Sequence, residues 1–128
     1  MNVLRSLAAL FMCAAVACGA FGAHALRNAL PIERLAQDMA IWEKAVLYNF
    51  IHALAALWTV SLGRDVLEPG IAKRLASIFL ISTVIFCGSL YLLVLTNIRW
   101  LGMITPLGGV GFVIGWLYAA YRLLRSRV

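Results

Sequence analysis

Four long runs without a single Asp, Glu, Lys or Arg constrain this chain more than any other feature. They cover residues 6–26, 45–63, 75–98 and 100–121. Each run is about 19 residues or longer, which is enough to cross about 30 Å of hydrocarbon as an α-helix. Strands of a membrane barrel would instead show about ten residues of alternating polarity. The runs therefore predict an all-α integral membrane protein with four transmembrane helices.

The overall composition points to the same class. The 128 residues are 64% hydrophobic and 12% charged, whereas soluble domains are about half apolar and about a quarter charged. The length suits one domain, so we predict a single four-helix transmembrane domain over residues 1–128. Its helices are expected at about residues 4–26, 44–63, 75–97 and 101–122.

The connection between the first two runs carries an amphipathic pattern. Pro31 suits the first turn of a helix, and the apolar residues Ile32, Leu35, Met39 and Trp42 follow at helical spacing. This pattern predicts a short interfacial helix over about residues 31–43, on the periplasmic side, that can continue directly into the second membrane helix.

Basic residues indicate how the chain is oriented in the membrane. Seven of them fall on the side of the termini, namely Arg5, Arg64, Lys73, Arg74, Arg122, Arg125 and Arg127. The other side has four, Arg27, Arg34, Lys44 and Arg99, and also three acidic residues. We therefore expect a multi-pass membrane protein with both termini in the cytoplasm. Three aromatic residues are expected to anchor helix ends at the interface: Trp42, Tyr118 and Tyr121.

A cleaved signal peptide is the alternative interpretation of the first run. Arg5 supplies a basic start, and residues 23–25 resemble a small-residue cleavage site. The apolar run is long for a signal peptide, so we expect it to remain as a helix. An intact mass that lacks the first 25 residues would contradict the four-helix prediction.

Neither the net charge nor the cysteines indicate a further class of function. The net charge of +6 comes from residues between the apolar runs rather than from one basic patch, so nucleic acid is not an expected partner. The three cysteines all lie inside apolar runs and are interpreted as small core residues. The histidines His24 and His52, even with Glu43, show no local metal-binding spacing. No metal site is predicted, and the sequence leaves the cofactor unknown.

Small residues predict where the helices pack. In lipid, helices approach closely where glycine and other small residues recur every four positions. The glycines interpreted in this way are Gly19, Gly22, Gly88, Gly108, Gly109, Gly111 and Gly115.

Polar residues of the second run share one face of its helix. Tyr48, Asn49 and His52 follow at helical spacing. With polar residues at similar depth on the other helices, they predict an outward-facing pocket: His24, Tyr48, Asn49, His52, Ser89, Tyr91, Thr96 and Thr105. The alternative interpretation is that these groups form interhelical hydrogen bonds that only hold the bundle together. No catalytic residue is predicted, because no nucleophile-and-base pattern is present.

Five stretches of the chain form recognisable motifs: residues 19–26 (GAFGAHAL), 42–54 (WEKAVLYNFIHAL), 88–91 (GSLY), 101–109 (LGMITPLGG) and 115–116 (GW). In this order they resemble the YgdD-like family of small bacterial inner-membrane proteins, which is related to transmembrane protein 256. Cys87 departs from the resemblance, because a serine is usual there. The resemblance implies a four-helix inner-membrane protein and little about its activity.

Three functions remain open from the sequence. The first is a non-enzymatic accessory, scaffold or lipid-binding protein, whose partners are the lipid bilayer, another membrane protein or a second copy of the chain. The second is a transporter or channel for a small solute. The third is a membrane enzyme that acts on a lipid or quinone. Because the uncharged runs contain no acidic residue and no catalytic motif, we favour the first.

Overall fold

The computed structural model describes residues 1–62 and 64–126, and every regular element in that part of the chain is helical. The four long helices are α1 (Asn2–Ala29), α2 (Leu35–Ser61), α3 (Pro69–Thr96) and α4 (Thr105–Arg125). A short 3₁₀ turn, Arg99–Met103, precedes α4. Two positions used in the sequence predictions, Gly63 and Arg127, lie outside the described residues.

Three segments of the described chain are long and apolar enough to cross a membrane: Asn2–Ala29, Pro69–Thr96 and Arg99–Arg125. The helix between the first two, α2, is 27 residues long but carries Asn49 and His52 near its middle. Large apolar side chains are exposed on the outside of the bundle. Such a surface is typical of a protein that faces lipid.

Two helices begin at different residues from those predicted, and proline explains both differences. Helix α3 begins at Pro69 rather than at 75, because the fixed φ of proline suits the first helical turn. Helix α4 begins at Thr105 rather than at 101, which puts Pro106 in its first turn. The missing amide of Pro106 therefore interrupts no helical hydrogen bond. Gly102, predicted to lie inside the helix, is in the 3₁₀ turn.

The amphipathic segment also differs from its predicted bounds. Residues 32–34 form a turn, and α2 then runs from Leu35 to Ser61 without a break. No glycine or proline occurs within those bounds to interrupt the helix. The predicted interfacial helix over 31–43 is therefore the first part of α2 and not a separate element.

Helices α2 and α3 form the centre of the bundle. They share the largest helix–helix contact, while α1 packs chiefly on α2 and α4 packs chiefly on α3. The core between them includes Val60, Leu75 and Phe79, which are fully buried. At the end of the bundle that carries the chain termini, Arg5 of α1 donates to the carbonyl oxygen of Val60 at 3.0 Å. That bond pairs a carbonyl in the last turn of α2, where the helix itself supplies no donor.

Three glycines let α4 approach α3 closely. A Cβ at Gly108 would lie 2.5 Å from the backbone nitrogen of Phe86, and one at Gly115 would lie 2.8 Å from the ring of Phe79. A Cβ at Gly111 would overlap the hydroxyl of Ser82. The contact between α3 and α4 therefore requires glycine along this face.

The other glycines predicted for packing differ among themselves. A Cβ at Gly22 would lie 2.5 Å from the indole of Trp42, so α1 and α2 also meet at a glycine. Gly19 and Gly109 leave room for ordinary contacts, and a Cβ at Gly88 would meet nothing within 4 Å. Gly22 also begins a π-helical turn, Gly22–Leu26, within α1.

Candidate functional site

A groove runs between α2 and α4, with Phe86 of α3 lining its side. Its middle part has a volume of about 880 Å³. The lining residues are mostly apolar: Tyr48, Ile51, His52, Phe86, Gly109, Val110, Phe112, Val113, Ile114, Trp116 and Leu117. A concave, largely apolar space with few polar groups is typical of a ligand site.

Two smaller hollows adjoin this groove along α2, one toward each of its ends. Toward the connection between α3 and α4 it shares Phe86 with a hollow of about 350 Å³, which is lined by Lys44 and Thr105 among others. Toward the termini it shares Ile51 and Trp116 with a hollow of about 300 Å³ that reaches Trp58. From Lys44 to Trp58 the helix rises by about 21 Å. We call the whole feature the α2–α4 groove, and its end at Lys44 the mouth.

His52 supplies a polar group on the wall of this groove. Its Nδ1 lies 2.9 Å from the carbonyl oxygen of Tyr48, and the indole N–H of Trp116 donates to its Nε2 at 3.2 Å. A carbonyl only accepts and an indole N–H only donates, so we assign the proton to Nδ1. Both ring nitrogens are then paired, which fits the neutral imidazole. The ring can offer little free hydrogen-bonding capacity to a ligand.

Aromatic stacking fixes the orientation of the imidazole. The His52 ring lies 3.5 Å from the Phe112 ring, centroid to centroid, at an angle of 14°. Phe112 and Trp116 are four residues apart on α4 and therefore share one face of that helix. His52 thus connects α2 with α4 through one stacking contact and one hydrogen bond.

The residues predicted to form one polar pocket are distributed over separate places. Asn49 donates to the hydroxyl of Tyr91 at 3.3 Å, between α2 and α3. Ser89 and Thr105 form a hydroxyl pair at 2.6 Å, between α3 and α4. Tyr48 and His52 line the α2–α4 groove. The two remaining residues of the set, His24 and Thr96, are exposed.

Trp42 lies inside the bundle rather than at its surface. It is buried, and its indole N–H donates to the carbonyl oxygen of Cys18 at 2.8 Å. Its ring lies 4.7 Å from that of Tyr91, centroid to centroid. The absence of a Cβ at Gly22 makes the space for this indole. Trp42 therefore connects α1 with α3 from inside the bundle, and its role as an anchor at the membrane interface stays a prediction.

The two other expected anchors lie near the end of α4. Tyr118 is partly buried and packs against the core cluster around Leu75. Tyr121 is exposed, and the guanidinium of Arg125 lies 4.9 Å from the centroid of its ring.

A buried carboxylate lies near the mouth of the groove, and the sequence analysis did not single it out. Asp38 is fully buried, 2.7 Å from Nη1 of Arg34 and 3.1 Å from Nη2 of Arg99. Arg99 belongs to the 3₁₀ turn before α4, so the cluster fastens the start of α2 to the connection between α3 and α4. The spacing of Arg34 and Asp38, four residues apart, was the available sequence signal.

The described residues assemble neither a metal site nor a hydrolytic triad. Within residues 1–62 and 64–126, no three His, Cys, Asp or Glu side chains are grouped to hold a metal ion. The hydroxyl of Ser89 pairs with Thr105 and with the carbonyl of Phe86, whereas His52 pairs with Tyr48 and Trp116. The hydroxyl and the imidazole thus have separate partners, so the arrangement does not resemble a nucleophile with its base.

The amino-acid sequence of the chain is similar to those of bacterial membrane proteins. Residues 18–109 match a family described as a protein of unknown function, DUF423. The chain is 42% identical over 127 residues to a UPF0382 membrane protein of Staphylococcus epidermidis, covering 98% of each chain. No solved structure matches the chain.

Two further relatives come from other bacteria. The chain is 38% identical over 117 residues to the UPF0382 membrane protein YwdK of Bacillus subtilis, covering 91% of this chain and 92% of the relative. It is 39% identical over 118 residues to the UPF0382 inner membrane protein YgdD of Escherichia coli, covering 88% of this chain and 85% of the relative. The similarity therefore extends over nearly the whole length of each protein.

Proposed function

The chain belongs to the DUF423 family, a family with membrane-protein members, and we propose that it binds a membrane lipid without changing it chemically. The membership confirms the resemblance to YgdD-like proteins that the sequence motifs indicated. The observation that carries the proposal is the row of three adjoining hollows that form the α2–α4 groove, lined from Lys44 to Trp58 by mostly apolar residues. In a membrane this groove would open toward the hydrocarbon core of the bilayer. The apolar ligand available in that layer is the acyl chain of a lipid.

The proposed position in the membrane has four crossings, with both termini in the cytoplasm. Helix α2 is taken as the fourth membrane helix because it packs between α1 and α3 and its buried polar side chains form hydrogen bonds, although Oδ1 of Asn49 has no partner among the described residues. Asn49, His52 and Thr59 are buried and each forms a hydrogen bond. Such pairing lets polar side chains lie at membrane depth. The excess of basic residues at the end with the termini supports the orientation.

The dimensions of the groove suit one acyl chain. The stretch of α2 from Lys44 to Trp58 rises by about 21 Å, and half of the hydrocarbon core is about 15 Å thick. A lipid with its headgroup at the mouth would therefore extend its chain along the wall formed by Phe86, His52 and Trp116. The pairing of both His52 nitrogens favours holding the chain over reacting with it.

The proposed binding can be tested by filling the groove. Val110 lines the groove and is 57% exposed, so Val110→Trp would occupy space without disturbing the core. The matched control is Leu107→Trp, at a position on the same helix that is 67% exposed and lies outside the lining residues. Both variants and the wild-type protein are extracted gently from the membrane, and retained lipid is counted by native mass spectrometry.

The expected result is that Val110→Trp loses retained lipid while the wild-type protein and Leu107→Trp keep it. Equal retention by all three proteins would contradict the proposal, because the lipid would then bind elsewhere on the surface. A wild-type protein that carries a second polypeptide and no lipid would also contradict it and would favour a scaffold. The thermal stability of each variant in the same detergent shows that the fold is kept.

A further inference from the structure

The basic residues around the mouth of the groove contact carboxylates, with the exception of Lys44. Arg34 and Arg99 both contact Asp38, and Arg27 lies 3.8 Å from Glu43. Lys44 is exposed and, within residues 1–62 and 64–126, has no acidic side chain within ion-pair distance. This end of the bundle carries four basic residues, Arg27, Arg34, Lys44 and Arg99, and three acidic ones, Glu33, Asp38 and Glu43, so its net charge is +1. Among its basic residues, Lys44 is the one that lines the groove.

The position of Lys44 matches that of a lipid headgroup. Lys44 lines the outer hollow together with Phe86, Leu90 and Thr105. It is also the last charged residue before the uncharged stretch of α2 that follows. A lysine near a helix end lays its methylene groups along apolar surface and extends its ammonium to the headgroup layer. An ammonium there would meet the headgroup of any lipid whose chain occupies the groove.

A second source of positive potential lies beside Lys44. Helix α4 begins at Thr105, which lines the same hollow, and the N-terminal end of a helix carries a partial positive charge. No acidic side chain lines this hollow. The local field therefore adds to that of the ammonium and favours an anion at the mouth.

We propose that Lys44 makes the α2–α4 groove select phospholipids with a net negative headgroup over zwitterionic ones. This inference rests on the proposed function, because the headgroup lies at Lys44 only when the chain of the same lipid occupies the groove. The recognised group is the phosphate diester, whose charge is unbalanced in phosphatidylglycerol and balanced by an amine in phosphatidylethanolamine. The selection is thus electrostatic at the mouth, while the chain supplies the apolar contact.

The test is a competition between the two lipids. The protein is reconstituted in nanodiscs with equal amounts of phosphatidylglycerol and phosphatidylethanolamine, and the retained lipids are identified by native mass spectrometry. The variants are Lys44→Gln, which removes the charge, and Lys44→Arg, which keeps it. Lys73→Gln is the matched control, because Lys73 is exposed on α3 near the other end of the bundle. Val110→Trp reports whether the retained lipid lies in the groove.

The wild-type protein, Lys44→Arg and Lys73→Gln are expected to favour phosphatidylglycerol by roughly five-fold, the effect of one basic side chain at a membrane surface. In Lys44→Gln the ratio of retained phosphatidylglycerol to phosphatidylethanolamine should fall to about 1, while the total lipid retained stays similar. An unchanged preference in Lys44→Gln, with lipid lost in Val110→Trp, would overturn the headgroup inference and keep the lipid-binding proposal. Lipid retained in Val110→Trp would overturn both.

Discussion

The indole N–H of Trp116 donates to Nε2 of His52 at 3.2 Å, which joins α4 to α2 across the groove. The two helices are otherwise held together mainly through α3. This hydrogen bond and the stacking of His52 on Phe112 therefore set the width of the groove at its middle.

Replacing His52 with phenylalanine should break the hydrogen bond and keep a flat ring against Phe112. Hydrogen bonds between membrane helices average about 0.6 kcal/mol and reach about 1.7, so we expect the free energy of unfolding to fall by about 1 kcal/mol. The ¹⁵N–¹H signal of the Trp116 indole, identified through Trp116→Phe, should move toward the position of an unbonded indole. Tyr48→Phe, which keeps the backbone carbonyl of residue 48, is the control. An unshifted indole signal in His52→Phe would contradict the assigned bond.

Neutralising Asp38 should destabilise the bundle at the mouth of the groove. The change Asp38→Asn leaves Arg34 and Arg99 without their carboxylate. Losing one partner of a fully buried pair costs about 3–5 kcal/mol, and both arginines here are partly exposed, so we expect about 2 kcal/mol. The measurement is unfolding by denaturant in detergent micelles.

Glu43→Gln is the control for that experiment. Glu43 and Arg27 form an exposed pair at 3.8 Å, and exposed pairs contribute about 0–1 kcal/mol. Equal effects of Asp38→Asn and Glu43→Gln would show that the buried cluster adds nothing beyond an ordinary surface pair.

Substituting Gly108 with alanine should disturb the contact between α3 and α4. The new Cβ would meet the backbone nitrogen of Phe86 at 2.5 Å, and a backbone atom cannot rotate away. Overpacking of this kind costs about 1–3 kcal/mol. Gly88→Ala adds the same methyl group on α3, where nothing lies within 4 Å, and should be neutral or stabilising by up to about 1 kcal/mol. Thermal unfolding of the two variants compares them directly, and a similar loss in both would contradict the close approach.

Single cysteines should report the proposed orientation. In a background without Cys13, Cys18 and Cys87, Ile32→Cys places a thiol in the exposed turn before α2, and Asp65→Cys places one near the opposite end of the bundle. A membrane-impermeant maleimide should label residue 32 on intact cells and residue 65 only after lysis. The reverse pattern would show that the termini lie outside, and labelling of both on intact cells would contradict a membrane crossing by α2, which lies between the two positions.

The sequence predicted the helical class because uncharged runs of membrane length have few alternatives. It named Gly108, Gly109, Gly111 and Gly115 together as packing residues of α4 and did not separate Gly109, where a Cβ would make only ordinary contacts, from the other three. The helix starts were less predictable. Pro69 and Pro106 each suit both a turn and a first helical residue, and only the packing of the chain decides between the two.

The candidate site was predictable only in part. Tyr48 and His52 share a face of α2, and the spacing of residues on one helix is a local property. Which residues of α4 they contact depends on how the two helices are rotated and displaced relative to each other. The spacing of residues along each helix does not predict that geometry. For the same reason the sequence did not show that Asp38 is buried, because its partner Arg99 lies 61 residues further along the chain. Lys44 was counted only among the basic residues of one side of the membrane.

The order in which the helices pack bears on how the protein is made. Each helix contacts chiefly its neighbour in the chain, so the bundle can grow one helix at a time as the chain leaves the ribosome. The α2–α4 groove, however, needs the last helix to be synthesised. A chain that stops before Thr105 would contain α1, α2 and α3 and would leave the face of α3 around Phe79 and Phe86 uncovered. If the groove binds a lipid as proposed, binding would follow the synthesis of α4, and nascent chains that stop before Thr105 should carry no lipid.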